Sequence, residues 1–449
     1  MTTLPSPILS VIQPFSKLFF SSKTWGHAML LLVGALMCRG GRTVCSTLKT
    51  LGMKGEQGFD KYHKVLNRAR WSTHVGSKIL LEQLLGPEDE TLVIAVDEHL
   101  ERRRGRKIKA KGYYRDAVRS TKNCVVKSSG LKWITVMVLK KLPWHTRLFA
   151  LPFMTILAPS KKANEKRGKR HKTTIDWTIQ LLKQLRRWLP NRRILFSTDG
   201  GFANASLAWV AIRQKIHLVS RLRQDARLFD FPKEQSGPGR RAKKGKRLMI
   251  PKEMFKREDL GWKEESVSWY GGKRRVMQYI TFTCLWHVEG NDPLPCRIVL
   301  LRDPEGKYES IPLIGISHDF SLNAVEIIEN YVHRWNQEVT HKEVREHLGV
   351  ETQRQWSDKA IARTTPVLFG LYTLVLLMAG KLNEISPLKP QQTAWHQKCD
   401  VTFSDAYVEV RKALWRGKLI NGFAEKSDPE EILSSILTAS LVDQLAATG

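Results

Sequence analysis

A chain of 449 residues with 74 Lys plus Arg against 43 Asp plus Glu carries a net charge of +31, and 42% of it is hydrophobic. That length and hydrophobic share fit a globular protein of two or three domains with a large core, and the basic excess speaks of partners rather than fold. Nucleic acid suits it, because neutralised phosphates release counterions; an anionic membrane suits it less, because the basic residues are scattered rather than gathered on one amphipathic helix.

The apolar runs Ala28 to Cys38 and Val367 to Gly380 are shorter than the roughly 20 residues of a membrane-spanning helix. No basic, apolar and cleavage-site succession marks a signal peptide. The six cysteines (Cys38, Cys45, Cys124, Cys284, Cys296, Cys399) show no metal-binding spacing and are expected to be reduced thiols in a cytosolic protein.

Residues 1–85 read as helical, with Trp25 to Met37 as a buried helix. Thr43 to Leu51 and the basic Phe59 to Ala69 flank a Gly-containing turn. Two readings fit them, a helix-turn-helix DNA reader and a plain bundle with a basic face. Thr91 to Val96 is a continuous apolar strand expected to end at Asp97. The basic tract after it holds Arg102, Arg103, Arg104, Arg106, Lys107, Lys109 and Lys111, then Tyr113 and Tyr114, and suits a groove along a phosphate backbone. Strands are expected at Trp133 to Leu139 and Arg147 to Phe149, and a basic mobile loop at Lys161 to Lys172. A helix from Thr173 to Leu189 opens on a capping-box-like Thr173 and Asp176. Arg193 to Thr198 is a second buried strand, ending at Asp199, with a helix and the strand Ile216 to Leu222 beyond.

From about residue 225 the character turns β-rich, with strands expected at Glu265 to Tyr270, Arg275 to Trp286, Arg297 to Arg302 and Ser310 to Ile316. A basic loop with Arg240, Arg241, Lys243 and Lys244 comes before them. Leu322 to Gly349 then reads as one helix, with Val325, Ile328, Val332, Trp335 and Val339 as its buried stripe. Tyr331, Arg334, Glu338 and Arg345 form a second stripe beside it, about 100° of rotation away. An apolar helix from Ile361 to Ala379 and a helical C-terminal region follow.

Two aspartates at the ends of apolar strands and a glutamate on a helix face can converge while a sheet holds them rigid. Such hard oxygen donors suit Mg²⁺, with Mn²⁺ able to substitute. In pairs, these ions assist in-line phosphoryl displacement. Glu98 and His99 suit a second acid and a proton relay less than a salt-bridged acid and a surface imidazole; Glu343, the rival to Glu338, lies off the Tyr-Arg stripe, and Asp116 reads as structural.

The spacing Tyr331, Arg334, Glu338, Arg345 resembles the Y-R-E-K motif of bacterial insertion-sequence DDE transposases of the insertion-sequence-four-like superfamily. Arg345 stands where that motif has lysine. Three further stretches resemble the insertion-sequence-seven-hundred-and-one branch: Val96 to Arg119, Arg297 to Gly306, and Glu338 through Trp356 to Pro366.

The resemblance implies an α/β, ribonuclease-H-like catalytic domain with a β-rich insertion, preceded by a helical DNA-binding domain and followed by a helical region. The expected boundaries are 1–85 (N-terminal DNA-binding domain), 86–224 (first part of the catalytic core), 225–320 (insertion), 321–380 (last part of the core) and 381–449 (C-terminal region). It further implies that Asp97, Asp199 and Glu338 are the catalytic, metal-binding triad and that Arg334 and Arg345 grip transposon-end phosphates. Tyr331 would help to fix the strand. The implied activity is nicking at the ends of a mobile element and joining of the 3′-OH ends to target DNA. The implied partners are double-stranded DNA and, in the synaptic complex, a second copy of the chain, with no membrane. The implied setting is the nucleoid of a bacterial cytoplasm. A structure-specific nuclease without strand transfer and a non-catalytic DNA-binding descendant are the alternatives. Related enzymes flip a base onto a tryptophan; Trp262, Trp269 and Trp286 are the candidates in the insertion.

Overall fold

The computed structural model describes residues 4–423, except 89, 122, 234–239 and 396, together with residue 446. Part of the expected basic loop (237–239) and much of the expected helical C-terminal region (424–445 and 447–449) therefore lie outside the described residues.

Helices α1 (Ser6–Ile12), α2 (Ser22–Met37), α3 (Val44–Thr50), α4 (Asp60–Asn67) and α5 (Thr73–Leu84) lead the chain. Strands β1 (Leu92–Arg102), β2 (Gly112–Arg115), β3 (Lys127–Lys141) and β4 (Leu148–Leu157) follow. Next come α6 (Lys161–Lys166), α7 (Thr174–Trp188), β5 (Ile194–Thr198), α8 (Ala205–Arg213) and β6 (His217–Arg221). The β-rich part holds β7 (Leu228–Phe229), the short α9 (Pro251–Met254), β8 (Lys263–Ser268), β9 (Arg274–Trp286), β10 (Leu294–Arg302) and β11 (Ile311–Ile316). Helices α10 (Ala324–His333), α11 (Asn336–Leu348), α12 (Asp358–Asn383) and α13 (Phe403–Phe423) complete it.

All eleven strands join one mixed sheet in the order β2-β3-β1-β5-β6-β11-β10-β9-β7, with β4 also on β3 and β8 also on β9. β1, β5 and β6 are mutually parallel, while β1–β3, β3–β4 and β6–β11 are antiparallel. The β-rich segment thus continues the same sheet through the β6–β11 pair.

Alternation along the strands sorts the core. Ile194, Phe196, Leu218, Ile298, Leu300, Ile314 and Ile316 belong to one apolar layer with Leu207, Ala208 and Ala211 of α8. Their neighbours Leu195, Val219, Val299, Leu301 and Leu313 pack with Ile327, Ile328, Tyr331 and Val332 of α10. Gly315 sets how closely α10 lies on the sheet: a Cβ there would stand 2.3 Å from Ile327 Cδ1.

Among the described residues α12 is long and apolar enough to cross a membrane. It is instead a core helix, burying Leu368, Phe369, Leu371, Tyr372, Val375 and Met378. Its Arg363 reaches the N-terminal helices, donating to the carbonyls of Leu66, Ala69 and Trp71.

Several expectations need correction. β1 does not end at Asp97 but runs on to Arg102, because β3 pairs with it through the Arg102–Gly130 position. Residues 161–166 form a helix rather than a loop, capped by Ser160, whose side chain accepts from the Ala163 N–H. The long helix at 322–349 is two helices, with a break at Arg334–Trp335 where Trp335 and Gln337 bond i→i−3 to Val332 and Arg334. Beyond the break the buried face is Gln337, Thr340, His341, Val344 and Leu348, so Trp335 and Val339, placed in the buried stripe, are 50% and 44% exposed. The capping box of Thr173 and Asp176 is formed as read.

Candidate active site

The last register pair of the parallel strands β1 and β5 is Val96 opposite Thr198. Asp97 and Asp199 are the next residues on each strand, so they sit side by side where β5 turns away. Beyond this point β1 keeps only β3 as a partner, and its edge opens. Gly200 starts the turn after Asp199, where a Cβ would lie 3.3 Å from the Arg221 carbonyl. The Ser220 hydroxyl donates to the Asp199 carbonyl (2.9 Å).

The break between α10 and α11 points Arg334 back over this edge. Its guanidinium lies 3.7 Å from Asp199 Oδ1, with the side chain 11% exposed, and covers the Tyr331 ring at 5.5 Å. Glu338, in the first turn of α11, is exposed. Burial, then repulsion from Glu338 and also from Asp199, pushes the Asp97 carboxyl up to about 7, against the pull of Arg334 and the Glu98 N–H. Glu338 and Asp199 therefore both act on Asp97 through space, with Arg334 the cation among them. Their oxygens are not drawn into a tight knot: among the described residues, the group whose ligand atoms all lie within 4.8 Å is His217, His318 and Asp319.

That second group occupies the other end of the same strands, since His217 opens β6 and Asp319 follows β11. Arg193 Nε donates to His217 Nε2 (3.4 Å), so that nitrogen is already engaged, and the buried Nδ1 has no partner. Asp319 is engaged as well: its Oδ1 accepts from the Ser321 N–H, and His318 lies 3.7 Å away.

The acidic end differs in chemistry. Three carboxylates offer hard oxygen donors, and Glu338 and Asp199 repel the Asp97 carboxylate, a repulsion that a cation among them would relieve. These residues fit a divalent cation of the Mg²⁺ or Mn²⁺ kind.

Other expected site residues are distributed unevenly. Arg345 leans to Glu351 (3.5 Å), which also meets Arg102 (3.5 Å). Arg102 is bidentate on the buried Asp116 (2.8 and 2.9 Å), so Asp116 has the structural place expected of it. Arg103 requires correction: it is 7% exposed and pairs with Glu101 (2.7 Å). Glu101 is fully buried and also accepts from Trp133 and Thr365; burying that carboxylate demands a cation beside it, and Arg103 is consumed there. Arg104, Arg106, Lys107 and Lys109 remain exposed on the loop, Lys107 over the Trp356 ring at 5.3 Å. Lys111 folds back on the carbonyl of Gly105 (3.2 Å). Arg240 and Arg241 are exposed, Lys243 pairs with Asp292 (2.5 Å) and Lys244 covers Phe229 at 4.3 Å.

Glu98 is salt-bridged to Lys132 (2.6 Å), as read. His99 is not a surface imidazole: it is buried between His341 and Phe369, each ring 4.7 Å away. His341 is a neighbour of the acids that the helical stripe of the sequence does not mark. It lies one turn after Glu338, is 5% exposed, and its Nε2 is 3.7 Å from Asp97 Oδ2. Burial, reinforced by Arg345, pushes its ring down to about 3, so it is neutral at physiological pH. The detectable signal was its three-residue spacing from Glu338, once the phase of α11 is known.

At the break between α10 and α11, Trp269, Tyr270, Gly271, Gly272, Trp335 and Arg147 help to line a cavity of about 340 Å³. Tyr270 meets Trp335 edge-on at 5.7 Å, and the Trp269 Nε1 has no partner. Trp286 is buried in the main core, and Trp262 is covered by Arg302 at 3.9 Å. Of the three tryptophans considered, only Trp269 faces this cavity.

No curated protein matches the sequence. Among solved structures, a chain of a piggyBac transposase synaptic complex with hairpin DNA, determined by cryo-EM, is similar at 9% identity and a TM-score of 0.41, covering 98% of this chain and 82% of that one. The family of DDE superfamily endonucleases matches residues 14–276, a span that contains Asp97 and Asp199 and stops before Glu338. With more than half of its length matched, the chain belongs to the DDE superfamily endonucleases.

Proposed function

We propose that the chain is a DNA transposase of the insertion-sequence-four type, which cuts at the ends of a mobile element and joins the freed 3′-OH ends to target DNA. One observation carries this reading: Asp97 and Asp199 stand next to each other at the end of paired parallel strands, and Glu338 is close enough to raise the proton affinity of Asp97. The strand order β4-β3-β1-β5-β6, with three antiparallel strands leading to two parallel ones, supports a ribonuclease-H-like core.

Asp97, Asp199 and Glu338 would hold Mg²⁺, or Mn²⁺ in its place. A divalent ion bound there supplies Lewis-acid polarisation of a phosphate and a more acidic attacking hydroxyl. Arg334 neutralises the acids and presents a buried cation to a strand laid over them. Tyr331, beneath that guanidinium, fixes its position. Arg104, Arg106, Lys107, Lys109, Arg240 and Arg241 follow the phosphate backbone, and Arg345 braces the Glu351 side of the groove. The cavity walled by Trp269, Tyr270 and Trp335 has the size and aromatic lining to stack one unpaired base. Synapsis of two ends calls for two copies of the chain.

The test incubates purified protein with end DNA and a target plasmid in Mg²⁺. Joined products, lost in Asp97→Asn with end binding retained, are expected. Cut but never joined DNA would mean a nuclease without strand transfer. Binding with no Mg²⁺-dependent product would mean a non-catalytic binder.

A further inference from the structure

His341 occupies a place where an apolar side chain would pack more simply. It is buried among His99, Phe369 and the end of the acidic cluster, with ring centroids 4.7 and 5.5 Å from the first two. Neither ring nitrogen has a hydrogen-bond partner, a costly state for a buried polar group. Its Nε2 lies 3.7 Å from Asp97 Oδ2, so a shift of about 0.5 Å would bring the pair within hydrogen-bond distance. The other oxygen of Asp97 already accepts from the Glu98 N–H (2.8 Å).

We propose that His341 is a positioning residue: its Nε2–H holds one oxygen of Asp97 while the Glu98 N–H holds the other, fixing the carboxylate plane for a divalent cation. The inference rests on the acidic triad being the ion site. His341 touches neither DNA nor ion; it acts through Asp97, as groups behind a metal's direct ligands do. α11 thereby serves the site twice, with Glu338 in its first turn and His341 one turn later bracing the aspartate from beneath. The single break after Arg334 sets both.

The test is Mn²⁺ titration of the full chain without DNA, by calorimetry, for wild type, Asp97→Asn, His341→Leu and His341→Gln, with a thermal melt of each. His341→Leu is expected to weaken Mn²⁺ binding by about 10–100-fold while melting no lower than wild type. His341→Gln, whose amide nitrogen can reach the same oxygen, is expected to recover most of that loss. Mn²⁺ affinity within twofold of wild type in His341→Leu would overturn the proposal. So would a weakened His341→Leu that also melts lower and is not rescued by glutamine, because that is the mark of packing alone. If Asp97→Asn binds Mn²⁺ as wild type does, the triad itself fails and the role of His341 falls with it.

Discussion

The two ends of the parallel strands carry similar residue types in opposite states. At the end where His217, His318 and Asp319 gather, Arg193 donates to His217 Nε2 and Ser321 and the two histidines surround Asp319, while His217 Nδ1 is left without a partner. At the other end, Asp97, Asp199 and Glu338 have one arginine among them, and His341 waits unpartnered beneath. Compact geometry alone would choose the histidine end. Unmet electrostatic demand chooses the acidic end, and demand is the better guide to where a ligand belongs.

The most direct way to break this contrast is mutation at both ends. Asp199→Asn or Glu338→Gln is expected to lower Mg²⁺-dependent DNA cleavage by about 10³-fold, equal to ~4 kcal/mol of transition-state stabilisation. His318→Ala should leave cleavage within about twofold of wild type, because its free-energy effect on the barrier should not exceed ~0.4 kcal/mol. A plasmid-nicking time course reads both.

A second test addresses how the acidic end is assembled. Gly315→Ala drives a methyl into Ile327 and must lift α10, at a cost of about 1–3 kcal/mol. Because α10 leads into Arg334 and α11, its cleavage rate should fall along with its denaturant midpoint. An unchanged midpoint would mean that α10 seats more loosely than the packing implies.

The pH dependence should have opposite signs at the two ends. The Asp97 carboxyl is pushed up to about 7 by burial and by Glu338. The native state therefore holds that proton more tightly than the unfolded chain, and stability falls as pH rises from about 4 to about 7. Asp97→Asn should melt higher than wild type at pH 8 and flatten that slope. Burial works against the Asp319 carboxylate, but Ser321, His318 and His217 hold it down at about 2. Its stabilisation is present above the unfolded value and is lost as pH falls toward about 2. Asp319→Asn should accordingly melt lower at neutral pH, by a smaller margin because the group is 44% exposed. Melting curves from about pH 2 to pH 8 check both signs.

The smallest effect belongs to the basic loop. Arg104→Ala with Arg106→Ala should leave melting unchanged and reduce the salt slope of DNA binding by about 1 per contacted phosphate. Arg103→Ala, one residue away, should leave a buried Glu101 without its cation and damage folding instead.

Much of this architecture could be read from periodicity. β8 to β11 fell within a few residues of their expected places because period-two patterning and bounding turns are local signals. Asp97 and Asp199 were recognisable because buried apolar strands ran directly into a charge. The break at Arg334–Trp335 was not readable: the residues flanking it fit a continuous helix, and only packing of α10 on Gly315 and of α11 on β4 forces a change of phase. His341 was hidden by that change, since the expected stripe put the buried face on Trp335 and Val339. Arg103 was misread for a different reason. A basic run looks uniformly solvated in sequence, and nothing local announces that a buried Glu101 two residues earlier will claim one of its members.

The measurement closest to the central claim is an anomalous difference map at the manganese edge from crystals soaked in Mn²⁺. The expected result is density among Asp97, Asp199 and Glu338, with none at His217, His318 and Asp319. A manganese peak at the histidine end, with none among the three acids, would contradict it.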